Sequence, residues 1–395
     1  MPAEVRITSA EVRITSGPLS ARIAFVGEVL GTTEVQQGKP LVGPSGEEFN
    51  RMLAMAGLLR KQRKGEGHWT WQRAAFAERS KKFFITNVFH AKVDVEGLCV
   101  SKAEATAAYP SAQDALRKQH PLFPWPKAYS WNHLGKAGKY LRPEHLGVLP
   151  ALQDELAHLA KCNVVVPLGG VALWALVGKA GIMAARGTPI PGRLTPHKLL
   201  PTFNPAFVLR NWQDRPIVVA DLHKIAREAE SSEIRLPSRE VWIVPTLQDL
   251  ETFYDQHIKG AELVAIDAEW ANDQIEMIGF ASSGGAAIVV PFVDYLRPGY
   301  SYWASRAEEA AAWRWCRKVL EDPALPKVAH NSLADVQVLW QKAGIPVRNC
   351  LHDTMFAHHA LQPEMKKSLG FLASLYTREA SWKFLRKGQA EGDPK

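Results

Sequence analysis

Cysteine is scarce: four residues in 395, at positions 99, 162, 316 and 350, with no Cys-x-x-Cys pair. This excludes a disulfide-stapled secreted scaffold and a zinc or iron–sulfur site of the usual local spacing. A long uninterrupted apolar run is also missing. The most apolar stretch, 164–185, is broken by Pro167, Gly169, Gly170, Gly178, Lys179 and Gly181. It reads as a strand, a tight turn and a helix instead of a membrane span. No charged start followed by an apolar core opens the chain, so the expectation is a cytoplasmic protein without membrane attachment. There is no acidic excess: 48 Lys+Arg face 40 Asp+Glu, a net charge of +8. With 46% hydrophobic and 22% charged residues, wholesale disorder is excluded. At roughly 150 residues per domain, the length allows two or three domains.

The positive charge is concentrated in two stretches. Residues 60–82 carry eight Lys/Arg against Glu66 and Glu78, together with Trp69 and Trp71. Residues 116–142 carry six Lys/Arg and no acid, with Phe123, Trp125, Tyr129 and Trp131. Cations for phosphates and flat rings for bases suit a nucleic-acid groove. The bland alternative is a solvated insertion.

Residues 3–9 and 10–16 are the same heptad, AEVRITS. Seven residues are too few for a solenoid unit, so residues 1–20 read as a flexible arm. From Ala21 onward, apolar runs at 22–26, 83–89, 163–168 and 199–203 alternate with helical spacing at 47–59, 149–160, 171–177 and 220–230. Ser45 is the expected N-cap of the first helix. That order predicts a parallel sheet covered by helices, with ligands beyond the C-terminal strand ends. Residues 231–240 read as a linker. A second domain over 241–395 begins with strands at 262–270, 275–280 and 286–292 and continues in α/β alternation. This predicts an RNase H-like sheet.

In the first domain, Glu28 and Glu34 lie six residues apart on a Gly-rich loop that follows a strand, where two carboxylates could flank a reacting sugar. The loop Gly27-Glu28…Glu34…Gly38-Lys-Pro-Leu41-Val-Gly43-Pro-Ser-Gly46 resembles the first motif of family 4 uracil-DNA glycosylases. Thr86-Asn87-Val88, Leu168-Gly-Gly-Val-Ala-Leu173 and Pro201-Thr-Phe-Asn204-Pro205 through Arg210 follow in that family's order. The resemblance covers about 21–230. It implies a three-layer α/β/α fold and excision of a flipped-out uracil. It casts Glu28, Glu34 and Asn204 as catalytic, with Gly27, Leu41, Gly43, Asn87, Pro205 and Arg210 around the substrate. Asn204 stands where the family has His, Leu41 where it has a stacking aromatic, and Ala91 where it has a cluster cysteine. No iron–sulfur cluster is expected.

In the second domain, Asp267 and Glu269 lie two apart on a strand and share one face. Paired carboxylates on a sheet suit Mg²⁺ or Mn²⁺ in phosphodiester hydrolysis. Together with Asn331-Ser-Leu-Ala-Asp335 and the 352–361 segment, they resemble the 3′–5′ proofreading exonuclease of family A DNA polymerases, phage-type ones in particular. The resemblance implies metal carboxylates at Asp267, Glu269 and Asp335 and a substrate contact at Asn331; Asp353 itself reads as structural, fixing a helix start. The family's third motif, Y-x-x-x-D, is missing. The expectation is therefore an incomplete exonuclease in a bacterial or phage-infected cell, acting on DNA and completed by a separate polymerase polypeptide. The rival expectation is a non-catalytic DNA-binding or recruitment subunit of such a split polymerase. A small-molecule hydrolase on an α/β sheet is a third.

Overall fold

The computed structural model describes residues 13–90, 99–101, 140–142, 145–178, 181–235 and 238–379, with a few isolated positions between 103 and 118. They fall into two compact units, 1–234 with 370–395, and 235–369. The aromatics at 123–131 and most of the second basic stretch lie outside the described residues.

In the first unit, β1 (Ile23–Val29) runs parallel between β2 (Phe84–Phe89) and β3 (Val164–Pro167). Beyond β3 the sheet continues with β5 (Lys198–Leu199), parallel, and β4 (Ile190–Pro191), antiparallel. The helices are α1 (Thr32–Gln37), α2 (Pro44–Met55), α3 (His68–Lys82), α4 (Val148–Ala157), α5 (Gly170–Val177), α6 (Pro205–Arg210) and α7 (Arg215–Glu228). β1 is apolar on both faces because helices cover both. Ala24 and Val26 enter the core formed with α4 and α5, while Phe25 meets Phe49 of α2 edge-on at 5.0 Å. This is the expected three-layer arrangement.

Four details differ from the sequence reading. Gly43, not Ser45, caps α2, because Pro44 takes the first helical position. Trp71 is buried and donates its indole N–H to the Arg60 carbonyl, so only Trp69 of that pair reaches solvent. Residues 13–16 of the arm have partners in the first unit. Ser16 pairs with Ile85 on the open edge of β2, Arg13 forms an ion pair with Glu155 at 2.6 Å, and the Ile14 N–H donates to His90 Nδ1 at 2.6 Å. An uncovered strand edge and a half-buried acid are sufficient partners for it.

The fourth difference is at the other end of the chain. Helix α12 (Leu369–Tyr376) lies within the second domain by sequence, while the described residues from Gly370 to Glu379 pack with the first unit. Ser374 Oγ accepts from the buried Arg186 at 2.9 Å, and its carbonyl accepts from Lys224 at 2.7 Å. Arg186 also pairs with the fully buried Asp221 at 2.5 Å. The returning segment thus supplies acceptors that two buried cations need. Burial pulls the Lys224 ammonium down to about 8, against the attraction of Asp221.

The second unit holds a six-stranded sheet in the order β11-β10-β7-β8-β9-β6. The strands are β6 (Glu240–Trp242), β7 (Val264–Ala271), β8 (Gln274–Ala281), β9 (Ala286–Pro291), β10 (Lys327–Ala329) and β11 (His352–Asp353). β7, β8 and β9 form the expected antiparallel meander, and the other strands join in parallel. The helices are α8 (Leu247–Phe253), α9 (Arg306–Leu320), α10 (Ser332–Ala343) and α11 (Thr354–Leu361). In β7, Val264, Ile266 and Ala268 turn into the core and Asp267 and Glu269 turn out.

Candidate active site

Glu28 sits at the C-terminal end of β1. The Val171 N–H in the first turn of α5 donates to its Oε1 at 3.1 Å, and Asn204 Nδ2 donates to its Oε2 at 3.0 Å. Gly169 makes this approach possible. It has φ +98, and a Cβ there would lie 2.4 Å from Glu28 Oε1. Burial nevertheless holds the Glu28 carboxyl above the usual carboxylate range, outweighing the Val171 and Asn204 hydrogen bonds and the Arg210 charge.

Asn204 has a second duty. Its Oδ1 accepts the Ala206 N–H at 2.9 Å and so caps α6, where Pro205 opens the helix. One side-chain amide thus ties α6 to Glu28. Asn87 on β2 lies beside Gly27 in register and is buried. A Cβ on Gly27 would come within 2.1 Å of Asn87 Oδ1, so glycine leaves that side chain its place across the β1 strand end.

Glu34 takes a different position. It is buried on α1, accepts the Gly43 N–H at 3.0 Å, and would meet a Cβ on Gly31 at 2.4 Å. Its charge acts on Arg79, whose guanidinium is fully buried and is pulled down by desolvation to about 9. Arg79 donates to the Leu41 carbonyl at 2.7 Å and to Asn50 Oδ1 at 2.7 Å. Leu41 has φ +53, and Gly46 has no room for a Cβ against its carbonyl. Glu34, Gly43, Leu41 and Arg79 therefore form the frame that fixes the loop after β1. Arg79 was legible only as one more cation of a basic stretch, and Gly169 only as a turn.

In the second unit, β10 pairs with β7 only as far as Ala265. The uncovered Ala268 N–H beyond it donates to Asp335 Oδ1 at 2.9 Å, from the first turn of α10. Burial raises the Asp335 carboxyl, and the charges of Glu269 and Asp353 raise it further. Asp353 accepts from the N–H groups of Ser332, Met355 and Phe356, so it starts α11 and fixes the turn into α10. Asn331, at φ +65, donates its N–H to the same carboxylate at 3.2 Å. A metal ion needs three or more donors that converge, and among the described residues no three His, Cys, Asp or Glu side chains do so. Asp267 and Glu269 lie on the outward face of β7, and Asp335 reaches that strand from the first turn of α10 through the Ala268 N–H.

The uracil DNA glycosylase superfamily matches residues 14–223, more than half of the chain. The chain belongs to the uracil DNA glycosylase superfamily. A 3′–5′ exonuclease family matches residues 241–388. One polypeptide thus matches a glycosylase-superfamily model and a 3′–5′ exonuclease model in succession. No curated protein matches it. Among solved structures, it is 20% identical to the EXD2 exonuclease domain soaked in Mn and GMP, over 39% of this chain and 77% of that one, with a TM-score of 0.24. It is 19% identical to the same domain soaked in Mn and Mg, over 40% and 78%, with a TM-score of 0.25.

Proposed function

We propose that the glycosylase-superfamily module of this chain excises uracil from DNA by hydrolysing the N-glycosidic bond. The observation that supports this most is the Glu28 carboxylate, held at the strand end by α5 and Asn204, with Asn87 in register with the preceding Gly27. A nucleotide flipped into that place would present its base edge to the Asn87 amide, which both donates and accepts. Glu28 would orient a water toward the sugar carbon, accept its proton as the carbon–nitrogen bond breaks, and offset the positive charge on the sugar. The Asn204 oxygen and one of its N–H groups are already committed, which leaves one N–H for the departing base. Loss of a single such donor is worth roughly 2.7–4 kcal/mol in related charge-stabilising sites, so slow turnover is expected of an amide that also serves a helix cap.

For the second module we infer 3′-end trimming of single-stranded DNA that needs Mg²⁺ or Mn²⁺ and is weak in this chain alone. Asp267, Glu269 and Asp335 are the groups that would have to be drawn together, and a separate polymerase polypeptide is the partner proposed to do so. Digestion of labelled single-stranded DNA with Mn²⁺, with D267A as control, tests this. Vigorous control-sensitive digestion by the chain alone would refute the incompleteness.

The decisive experiment for the first module is incubation with uracil-containing DNA followed by alkali. Strand breaks are expected for the wild type, with the rate in E28Q lower by about 10²–10⁴-fold, the usual contribution of a positioned general base. Breaks no more frequent than in E28Q would reject the activity.

A further inference from the structure

Among the described residues of the first unit two tryptophans face solvent, Trp69 in the first turn of α3 at 64% exposure and Trp212 just after α6 at 55%. An unbroken series of contacts joins them. The Arg215 guanidinium covers the Trp212 ring at 4.2 Å, and its Nε pairs with Glu48 Oε1 at 2.7 Å. Glu48 Oε2 accepts from Arg51 at 3.1 Å, and Arg51 lies 3.5 Å from His68 Nε2. The His68 ring meets Trp69 edge-on at 4.9 Å. Glu48 is fully buried, so it fixes both arginines in place. Solitary exposed aromatics need no explanation, but two of them linked by clamped cations do.

The surroundings indicate what the strip would bind. Lys61, Arg63 and Lys64 are exposed in the segment that leads into Trp69. At the other end, Trp212 follows Arg210 by two residues, and the Arg210 charge reaches Glu28. We infer that the strip from Trp212 to Trp69 is a stacking surface for unpaired bases of single-stranded DNA, continuing from the Glu28 site toward the 61–64 cations. Bases stack on indole faces whatever their identity, and the cations take the backbone. The inference rests on the DNA-processing reading above and adds to it a preferred DNA form.

The test is fluorescence anisotropy of a labelled, uracil-free oligo-dT and of a matched duplex, with the full chain. Variants are W69A, W212A, both together, the corresponding Phe substitutions, and a K61A/R63A/K64A triple. Each Trp→Ala change is expected to weaken oligo-dT binding about ten-fold or more, with Phe restoring most of it and duplex binding little changed. The salt slope should stay the same in the Trp variants and flatten by about 2 in the triple variant, near 0.7 per phosphate contact. Because both rings are more than half exposed, unchanged melting curves separate lost stacking from lost fold. Trp variants that bind oligo-dT like the wild type, or that lose both DNA forms equally, overturn the strip while leaving the excision reading intact. That result would point instead to a protein-facing surface. A wild-type chain that binds neither DNA form overturns the DNA reading and the strip with it.

Discussion

Adjacent glycines at the start of α5 offer a sharp test of where the Glu28 carboxylate sits. Gly169 has φ +98 and ψ −176, a region that side-chain-bearing residues enter at a cost of about 1–3 kcal/mol. A Cβ there would also lie 2.4 Å from Glu28 Oε1 and 3.1 Å from Asn204 Cβ. One of these groups must move, and the one least fixed by backbone is the carboxylate. Moving it breaks the Val171 hydrogen bond, worth about 1.5–3 kcal/mol for a charged acceptor. Reduced freedom of the unfolded chain returns about 0.4–1 kcal/mol. The net expectation for G169A is a loss of about 2–5 kcal/mol, together with an excision rate approaching that of E28Q. Gly170 has nothing within 4 Å of its Cβ position and lies inside the helix. G170A should gain about 0.5–1 kcal/mol and keep its rate. Urea unfolding of the full chain, followed by the transition of the first unit, gives the stabilities, and single-turnover excision gives the rates. If G169A unfolds and excises like G170A, Glu28 is not held where it has been placed here.

N204A removes a donor that lowers the Glu28 pKa and leaves the burial that raises it, so the acidic limb of the excision profile should move to higher pH. The sign for stability follows: a carboxyl raised in the fold contributes stability below its unfolded value and loses it as pH rises through its folded value, and N204A carries that loss to higher pH. D221A strands Arg186 and Lys224 in the interior and should cost about 3–5 kcal/mol in urea unfolding. G17A places a Cβ 1.9 Å from the Phe83 carbonyl at a φ of +99, so it should release the Ser16–Ile85 pairing and expose the Ile85 N–H to hydrogen exchange. The first heptad copy cannot replace the second, because Ala10 stands where a glycine is needed.

The order of strands and helices in both units was legible because burial on one face or both leaves a local periodic trace. Gly27, Glu28, Asn87 and Asn204 were found by motif, and the sheet register brings the first three together. The helix-fixing role of Asp353 was also readable, since an Asp before a helix has few other uses. What stayed hidden depends on partners far along the chain. Residues 13–16 look like a loose arm until the edge of β2 and Glu155, 142 residues from Arg13, are placed beside them. Residues from 370 on look like the end of the second domain until Arg186 and Lys224 are seen to need acceptors. Glu34 looks like a second active-site acid until its carboxylate is found holding Gly43.

The same contacts change what the net charge of +8 means. Arg13, Arg79, Arg186, Lys198, Arg215 and Lys224 are all committed inside the first unit, to Glu155, to the loop after β1, to Asp221, to Glu228, to Glu48 and to carbonyls near Ser374. Their charges hold the fold, and little of that attraction is left for a phosphate. The basic stretch 60–82 shrinks in the same way, since Arg79 is interior and Arg60 and Lys82 pair with Glu66 and Glu78. What remains outward and unpaired is Lys61, Arg63, Lys64, Arg73 and Lys81, and the first three lead into the one tryptophan of that stretch that stays exposed. An exposed ring beside unpaired cations suits unpaired bases, which stack on the indole while the cations take the backbone. The composition alone pointed to nucleic acid in general; the proposed single-strand surface rests on the unpaired cations 61–64 that lead into Trp69.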